Sequence, residues 1–578
     1  MLTDCPTLRR IVDRLNRYCG RRYPDYFGRA AKHPVRQIKP YKVIHDNIWG
    51  TNRYSWRELA IIDSPIFQRL RDIHQVGLAY QVYPCAHHTR FEHSLGVVTV
   101  ASRAFDALIY RHTKTLETIA NERQVKSFPS FVNQLREELR LAALLHDVGH
   151  SLFSHASEQV YGDLPLMRSA ARELRTLVGV KKGAGEVLSF CVSQTKAVKG
   201  LLERAYLRLP DKFKGGVQEI DLDNVSLLIV GRSKHPYMQF MADIISSDLD
   251  ADKLDYLLRD AAAAGLPLRY DLERYLHSVG IAAGHVPDGD GYLQKLYSRV
   301  GTEVERKAAT EGIPYPHYET YRLRLPQTAM NTIEQIIICK FMLFSYIYHH
   351  KKVRSAEGLL GATLRRLVTV WKGTGKTDEQ ILEQFLDLTD SSLHSQTLLR
   401  NSDSQVRDYA FRIHHRLLPR EVYAFVASRH SHAEGGLLSV FIKILQGKDL
   451  THDQNLRERT LRDFNQVMGE ELCRIKPSLG SSGQQALWNA GAWLDAPGSP
   501  KFENINFLIG AGKQAVRLSE VFPINYWIQA YESHRYAVRV FSFSEHLPAV
   551  HAAARIACER IIGAKTDEFY ETAERKID

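Results

Sequence analysis

The chain has 578 residues, 44% apolar and 25% charged, the balance of a folded globular protein rather than a disordered or fibrous one. Charges interrupt its apolar stretches well short of the roughly 18–20 residues that span a bilayer. The opening MLTDCPTLRR has no signal-peptide core, and the seven cysteines are scattered without a CxxC pair, so membrane, disulfide-framework and zinc-knuckle classes are set aside and a cytoplasmic location is expected.

Residues 1–40 are basic and tyrosine-bearing and read as an extension or a short helical arm. From residue 41 to about 280 the text reads as helices separated by short polar turns; SFVNQLREELRLAALLHDVGH carries apolar residues at helical spacing and ends in a glycine-containing turn. Ile281–Lys295 holds Pro287-Asp288-Gly289-Asp290-Gly291 between short apolar runs, a hairpin signal. Thr302–Gln327 is polar and proline-punctuated, which predicts an inserted loop. A further helical region runs from about Thr332 to Leu445, and Gly480-Ser481-Ser482-Gly483 and Pro497-Gly498-Ser499-Pro500 mark loops. The expected class is mainly α with a small β-hairpin component. The expected division is a basic extension (1–40), a core (41–280), a helical lobe with hairpin and inserted loop that contributes to the pocket (281–470), and a C-terminal lobe (471–578).

Of 25 histidines, several crowd into short segments. His87-His88-Thr89-Arg90-Phe91-Glu92-His93 is one; His146-Asp147-Val148-Gly149-His150, running on to His155, is a second; an Asp-rich run from Asp248 to Asp260 is a third. A single histidine at a helix end is usually a cap or a surface residue. Three imidazoles and a carboxylate within ten residues, directly after the apolar LAALL, are polar groups at a pocket floor, where leaving them unpaired is costly. On a continuing helix His146 and His150 share a face. A cation satisfies such a set, and imidazole with carboxylate suits Mn, Fe, Zn, Co or Ni. Asp252, Tyr256 and Asp260 lie at i, i+4 and i+8, with Lys253 adjacent, so one helical face offers a metal ligand, a sugar-hydroxyl partner and a phosphate partner. The formal charge of +12 suits polyanions from nucleotides to nucleic acid without choosing among them.

RFEHSLGV, LLHDVGHSLFSH and DADKLDYLLRD together resemble the HD-domain superfamily. More narrowly they resemble the deoxyguanosine-triphosphatase branch and its vertebrate relative, the SAM-and-HD-domain dNTP triphosphohydrolase. The upstream block KVIHDNIWG…IIDSPIFQRLRDIHQVGLAYQVYP matches too, so the resemblance covers roughly residues 41–280, with a weaker echo near Phe341–Leu359 and no SAM domain. It implies an HD-domain helical phosphohydrolase core with additional helical lobes. It also implies metal ligation by His93, His146, Asp147 and Asp252, with Mg accompanying the nucleotide. His150 is implied as an acid or base against the phosphates, and His155 with Glu158 as the proton-transfer pair. Arg90 and Lys253 match phosphate-holding cations, and Gln75, Tyr256 and Asp260 match residues around the sugar. Tyr348 and Lys351 match residues at the sugar and the γ-phosphate, ordinary helix packing and a solvated face being the plain alternative. Lys340 stands where a relative has arginine.

Lys42, Val43, Asp63, Arg69 and Arg71 match residues that hold an activating nucleotide, with His45 replacing an asparagine; structural ion pairing is the alternative for the two arginines. One departure is evident: relatives carry a His-Glu pair beyond the second motif, and the nearest counterpart here is Gly185-Glu186. The implied reaction converts a dNTP into deoxynucleoside and inorganic triphosphate, controlling or depleting dNTP pools, antiviral use included, in a homo-oligomer with nucleic acid as a secondary partner. Two other readings stay open: an HD phosphohydrolase acting on nucleoside monophosphates or a signalling nucleotide, and a non-catalytic regulator that senses nucleotides or binds nucleic acid.

Overall fold

The computed structural model describes residues 2–28, 31, 38–122, 125–215, 217–284, 320–395, 397–425, 437–445, 456–498, 506–508, 515–517, 520, 522–534 and 536–562. Helices dominate these residues, as the spacing of apolar positions predicts. Phe128–Leu145 shows how one is specified. Ser127 caps it by accepting from Ser130 N, Pro129 occupies its first turn, and Val132, Leu135, Leu139 and Ala142 form one buried stripe. That stripe packs on the long helix Arg90–Glu122. Each valine or leucine so removed from water contributes about 1.5–3 kcal/mol.

The N-terminal arm is a helix, Pro6–Arg22, built into this core through Leu8, Ile11, Val12, Leu15 and Cys19. Its arginines also reach the helix Asp378–Asp387: Arg14 and Arg21 pair with Glu383, and Arg22 with Asp387. Tyr41–Asp46 and Gly50–Ser55 form an antiparallel hairpin, with Asp46 opposite Gly50 at its tip. A second four-stranded sheet runs Gly280–Gly284, Thr320–Pro326, Asn506–Leu508, Ala515–Arg517.

Two sequence expectations change here. Residues 320–326, predicted as part of an inserted loop, are a strand: Tyr321, Leu323 and Leu325 alternate with Arg322 and Arg324, and Gly280 lies opposite Arg324 in the antiparallel pair. The predicted turn at 287–291 and residues 302–319 of the predicted loop lie outside the described residues. Within the region predicted helical, Arg420–Phe425 is a strand that pairs with Val538–Ser542, which pairs in turn with Trp493–Asp495. This sheet, with the helices Leu456–Ile475 and Leu547–Ile562, encloses a second hydrophobic cluster that includes Phe425, Phe464 and Val540.

Candidate functional site

The helix Phe128–Leu145 stops just before the histidines. His146 is its C-terminal cap, and the chain turns through Asp147–Gly149, with His150 N donating to Asp147 O at 3.1 Å. His146 and His150 therefore do not share a helical face, contrary to the spacing argument; the break in the helix sends them to different partners. His93, from the first turn of Arg90–Glu122, and Asp252, from the first turn of Ala251–Ala263, meet His146 and Asp147. His93 Nε2 lies 3.0 Å from Asp252 Oδ1 and 3.7 Å from Asp147 Oδ2, and His146 Nε2 lies 3.5 Å from Asp147 Oδ1.

The other ring nitrogens are committed elsewhere. His146 Nδ1 donates to the carbonyl of Ala143 at 2.7 Å, and His93 Nδ1 to Asp255 Oδ2 at 2.7 Å. A carbonyl only accepts, so His146 carries its proton on Nδ1 and turns an Nε2 lone pair into the cluster. Both Nε2 atoms are buried and make no hydrogen bond within the cluster beyond the 3.0 Å approach of Asp252 Oδ1 to that of His93. Burial opposes charge on His93, yet Asp252 and Asp255 outweigh it and raise its pKa to about 10. Asp147, which burial alone would raise, is held well below the carboxylate range by Arg90 and the three histidines. The cluster thus calls for positive charge at Nε2, which a proton or a cation can meet, and its donor set of two imidazoles and two carboxylates fits a divalent transition metal.

Asp255 is the residue that sequence reasoning passed over. It is fully buried and accepts from His93, from Arg259 Nε at 2.8 Å and Nη2 at 2.9 Å, and from Trp49 Nε1. Arg259 also donates to Asp46 at 2.8 Å, which ties the hairpin to the cluster. Gly96 permits this approach: a Cβ there would fall 1.9 Å from Asp255 Oδ1. The i, i+4 spacing of Asp255 and Arg259 was the available signal.

A cavity of about 550 Å³ opens onto the cluster, lined among others by Gln75, Arg90, His155, Glu158, Lys253 and Tyr256. Glu158 Oε2 holds His155 Nδ1 at 2.8 Å and lies 3.7 Å from His150 Nε2, while its Oε1 accepts from Gly185 N at 3.0 Å. Desolvation in the cavity opposes charge on His155, but Glu158 raises its pKa even though 75% of the side chain is exposed. Position 185 is glycine, and the His150 ring fills the space: a Cβ on Gly185 would lie 2.6 Å from His150 Nε2. Arg90 is buried, donates to Asp147 and to Ser154 Oγ, and keeps Nη2 without a partner. Lys253 Nζ donates to Ser247 O and Asp250. Lys182, also unforeseen, lines the cavity between Glu186 and Ser246 Oγ.

Tyr348 ends a π-type turn, Phe344–Tyr348, and donates to Asp260, which also meets His88 Nε2 at 2.7 Å. Its ring packs edge-on against Tyr256, 6.4 Å between centroids, so Tyr348 stands behind the Tyr256 that lines the cavity. Lys351 is exposed and is not among the lining residues. Lys340 is buried, and burial together with Lys253 lowers its pKa to about 7.

Of the residues expected to hold an activating nucleotide, Lys42, Val43, Asp63 and Arg71 are exposed, with Lys42 3.4 Å from Asp63 and Arg71 over the Phe91 ring. Arg69 does not join them. Its guanidinium is turned inward and donates to the carbonyls of Leu386, Val148 and His150, so all three of its nitrogens serve the fold.

The chain is similar in sequence and in fold to known proteins. Residues 90–189 match the HD domain family. Over 244 residues the chain is 32% identical to the deoxynucleoside triphosphate triphosphohydrolase SAMHD1 homolog of Dictyostelium discoideum, covering 41% of this chain and 39% of that one. It is 31% identical over 239 residues to deoxynucleoside triphosphate triphosphohydrolase SAMHD1 of Bos taurus, covering 41% and 38%. An uncharacterized protein of Methanocaldococcus jannaschii is 26% identical over 375 residues, covering 64% and 60%. The chain thus spans between 38% and 60% of the length of these relatives. In fold it is similar to a hypothetical protein from Aquifex aeolicus, with TM-score 0.51 and 19% identity over 89% of this chain and 99% of that one. No helix among the described residues is long and apolar enough to cross a membrane. Residues 90–189 thus match an HD domain, and over about two fifths of its length the chain is similar to SAMHD1-like dNTP triphosphohydrolases.

Proposed function

We propose that the cavity is the active centre of a metal-dependent phosphohydrolase that converts a dNTP into deoxynucleoside and inorganic triphosphate. The observation that carries the reading is the pair of buried Nε2 atoms facing Asp147 and Asp252 at the floor of a cavity that also holds Arg90, Lys253 and the His155–Glu158 pair. His93, His146, Asp147 and Asp252 would hold a divalent cation, which when bound supplies Lewis acidity toward a phosphoryl oxygen and acidifies water.

The remaining work belongs to the chain's own side chains. Arg90 Nη2 and Lys253 Nζ bind phosphate oxygens. His155, whose charged form Glu158 favours, gives its proton to the 5′-oxygen as the bond from α-phosphorus to that oxygen breaks, while water supplies the new oxygen on phosphorus and the proton it releases restores His155. His150 sits against the same phosphate. Gln75 and Tyr256 line the sugar end of the cavity, and Asp260 and Tyr348, bonded to each other behind Tyr256, hold its ring where a 2′-hydroxyl would need room. The exposed group Lys42, Val43, Asp63 and Arg71 is the proposed place of an activating nucleotide, within a homo-oligomer.

The test is to incubate the protein with each dNTP and rNTP, singly and mixed, with Mn or Mg, and to identify products. Inorganic triphosphate with intact deoxynucleoside is expected. Stepwise loss of phosphate, or no turnover with any mixture, would sink the reading.

A further inference from the structure

His155 follows two residues in a backbone conformation that L side chains rarely adopt. Phe153 has φ 48°, and Ser154 has φ 55° with ψ −120°. Neither is glycine or asparagine, so the surroundings must impose the turn. What imposes it comes from the helical lobe, far along the sequence. Asp390, whose side chain is 4% exposed, accepts from Phe153 N through Oδ1. Through Oδ2 it accepts from His74 N at 2.8 Å and meets His74 Nδ1. The His74 carbonyl then accepts from Ser154 Oγ at 2.6 Å, and Ser154 Oγ accepts from Arg90 Nε at 2.8 Å.

The same segment grips the loop at two further points. Ser151 Oγ donates to Phe385 O, and Arg69 bridges Leu386 O to the carbonyls of Val148 and His150.

We propose that Asp390 is a positioning residue for the active site: it clamps the strained Phe153–Ser154 turn and thereby sets both His155 and Arg90 toward the cavity. Asp390 is not among the residues lining the cavity. Its effect runs through backbone amides, in a direction fixed by geometry. Phe153 N and His74 N both point at one carboxylate, so the turn and the segment before the cluster are drawn to a common point. Arg90 depends on it at one remove, because Ser154 Oγ is the partner of its Nε. A catalytic side chain displaced by about 1 Å loses on the order of a hundredfold in rate, which is the sensitivity such a clamp would protect.

The part of this inference that concerns turnover rests on the reading given above, and the test separates the two. Hydrogen exchange is followed by mass spectrometry over 150–158 in the full chain and in Asp390→Asn and Asp390→Ala, with dNTP turnover and metal content measured alongside. In the wild type the Phe153 amide is expected to exchange slowly despite the strained turn. In the variants exchange at the turn should rise by about tenfold or more through local opening, while 251–263 and metal content stay unchanged. kcat should fall by about a hundredfold with KM nearly unchanged. A Phe153 amide that exchanges freely in the wild type overturns the clamp, even if neither variant folds. Faster exchange with unaltered kcat overturns the positioning role. If the wild type hydrolyses no dNTP, the functional reading falls, and the Phe153 amide alone then decides the clamp.

Discussion

Replacing Asp255 by Asn tests the metal reading without touching any proposed ligand. The carboxylate is fully buried and ionised, its pKa held at about 2: burial opposes the charge, and Arg259 and His93 outweigh it. Asn keeps the shape but offers one acceptor where His93 Nδ1, Trp49 Nε1 and two nitrogens of Arg259 now converge. Two effects follow. Arg259 is left with Asp46 alone, and breaking a buried pair by removing one partner costs about 3–5 kcal/mol. Separately, His93 loses the group that fixes its ring and makes Nε2 basic; loss of such an outer partner weakens metal affinity about 10–100-fold, or roughly 1.4–2.7 kcal/mol. The two are separable. Arg259→Met in the same background removes the stranded cation, so the melting temperature should partly recover while metal affinity stays low. Affinity is read by equilibrium dialysis against graded free Mn with elemental analysis, and stability by thermal unfolding of the metal-free protein. An Asp255→Asn protein that binds Mn with the wild-type Kd would refute the reasoning.

Four other outcomes are expected. The paired substitution His146→Ala with Asp147→Ala should abolish metal retention in a folded protein, checked by elemental analysis and circular dichroism. Glu138 is fully buried, and burial raises its pKa from 4.5 to about 7 against bonds from Asn224, Gln134 and Asp221 N. A folded pKa above the unfolded value means the folded state holds the proton more tightly, so this contribution is present below pH about 4.5 and is lost as pH rises toward 7. On the order of 3 kcal/mol is at stake, and Glu138→Gln should flatten that part of the pH dependence of the melting temperature. Arg69→Met leaves three carbonyls without a donor and should cost about 3 kcal/mol, measured by denaturant unfolding. Any activation by a second nucleotide should survive in the folded fraction, and its specific loss there would restore Arg69 to the nucleotide site. Tyr348→Ala removes the ring behind Tyr256 and should narrow the preference for dNTP over rNTP in kcat/KM; an unchanged ratio would remove Tyr348 from sugar selection.

Much of the cluster was legible because its members announce themselves locally. His146 and Asp147 are adjacent, and Asp252, Tyr256 and Asp260 share one face of the helix Ala251–Ala263. Their convergence with His93 was not readable from spacing and came only from resemblance. The partners that hold the cluster were hidden for a physical reason: Asp390 bonds Phe153 across 237 positions, and Asp255 meets Trp49 across 206. No local period encodes such contacts. The strand at 320–326 was missed because its two arginines read as loop polarity, when one is ion-paired to Asp243 and both alternate with apolar neighbours. Arg69 was misplaced because a side chain's direction is set by packing. Beside the exposed Arg71 in sequence, it points the opposite way.

The glycine at 185 bears on how this chain can diverge. The His150 ring occupies the volume that a side chain there would need, so a substitution at 185 requires that ring to shift. A relative with a bulky residue at 185 must swing its counterpart of His150 to another rotamer, toward the cavity or away from Glu158. Homologues should therefore sort into two coupled types, and a single Gly185→His exchange grafted into this chain should trap both rings in collision unless position 150 changes with it. Site descriptions transferred between the two types residue by residue would then misplace an imidazole even where the sequences align without a gap.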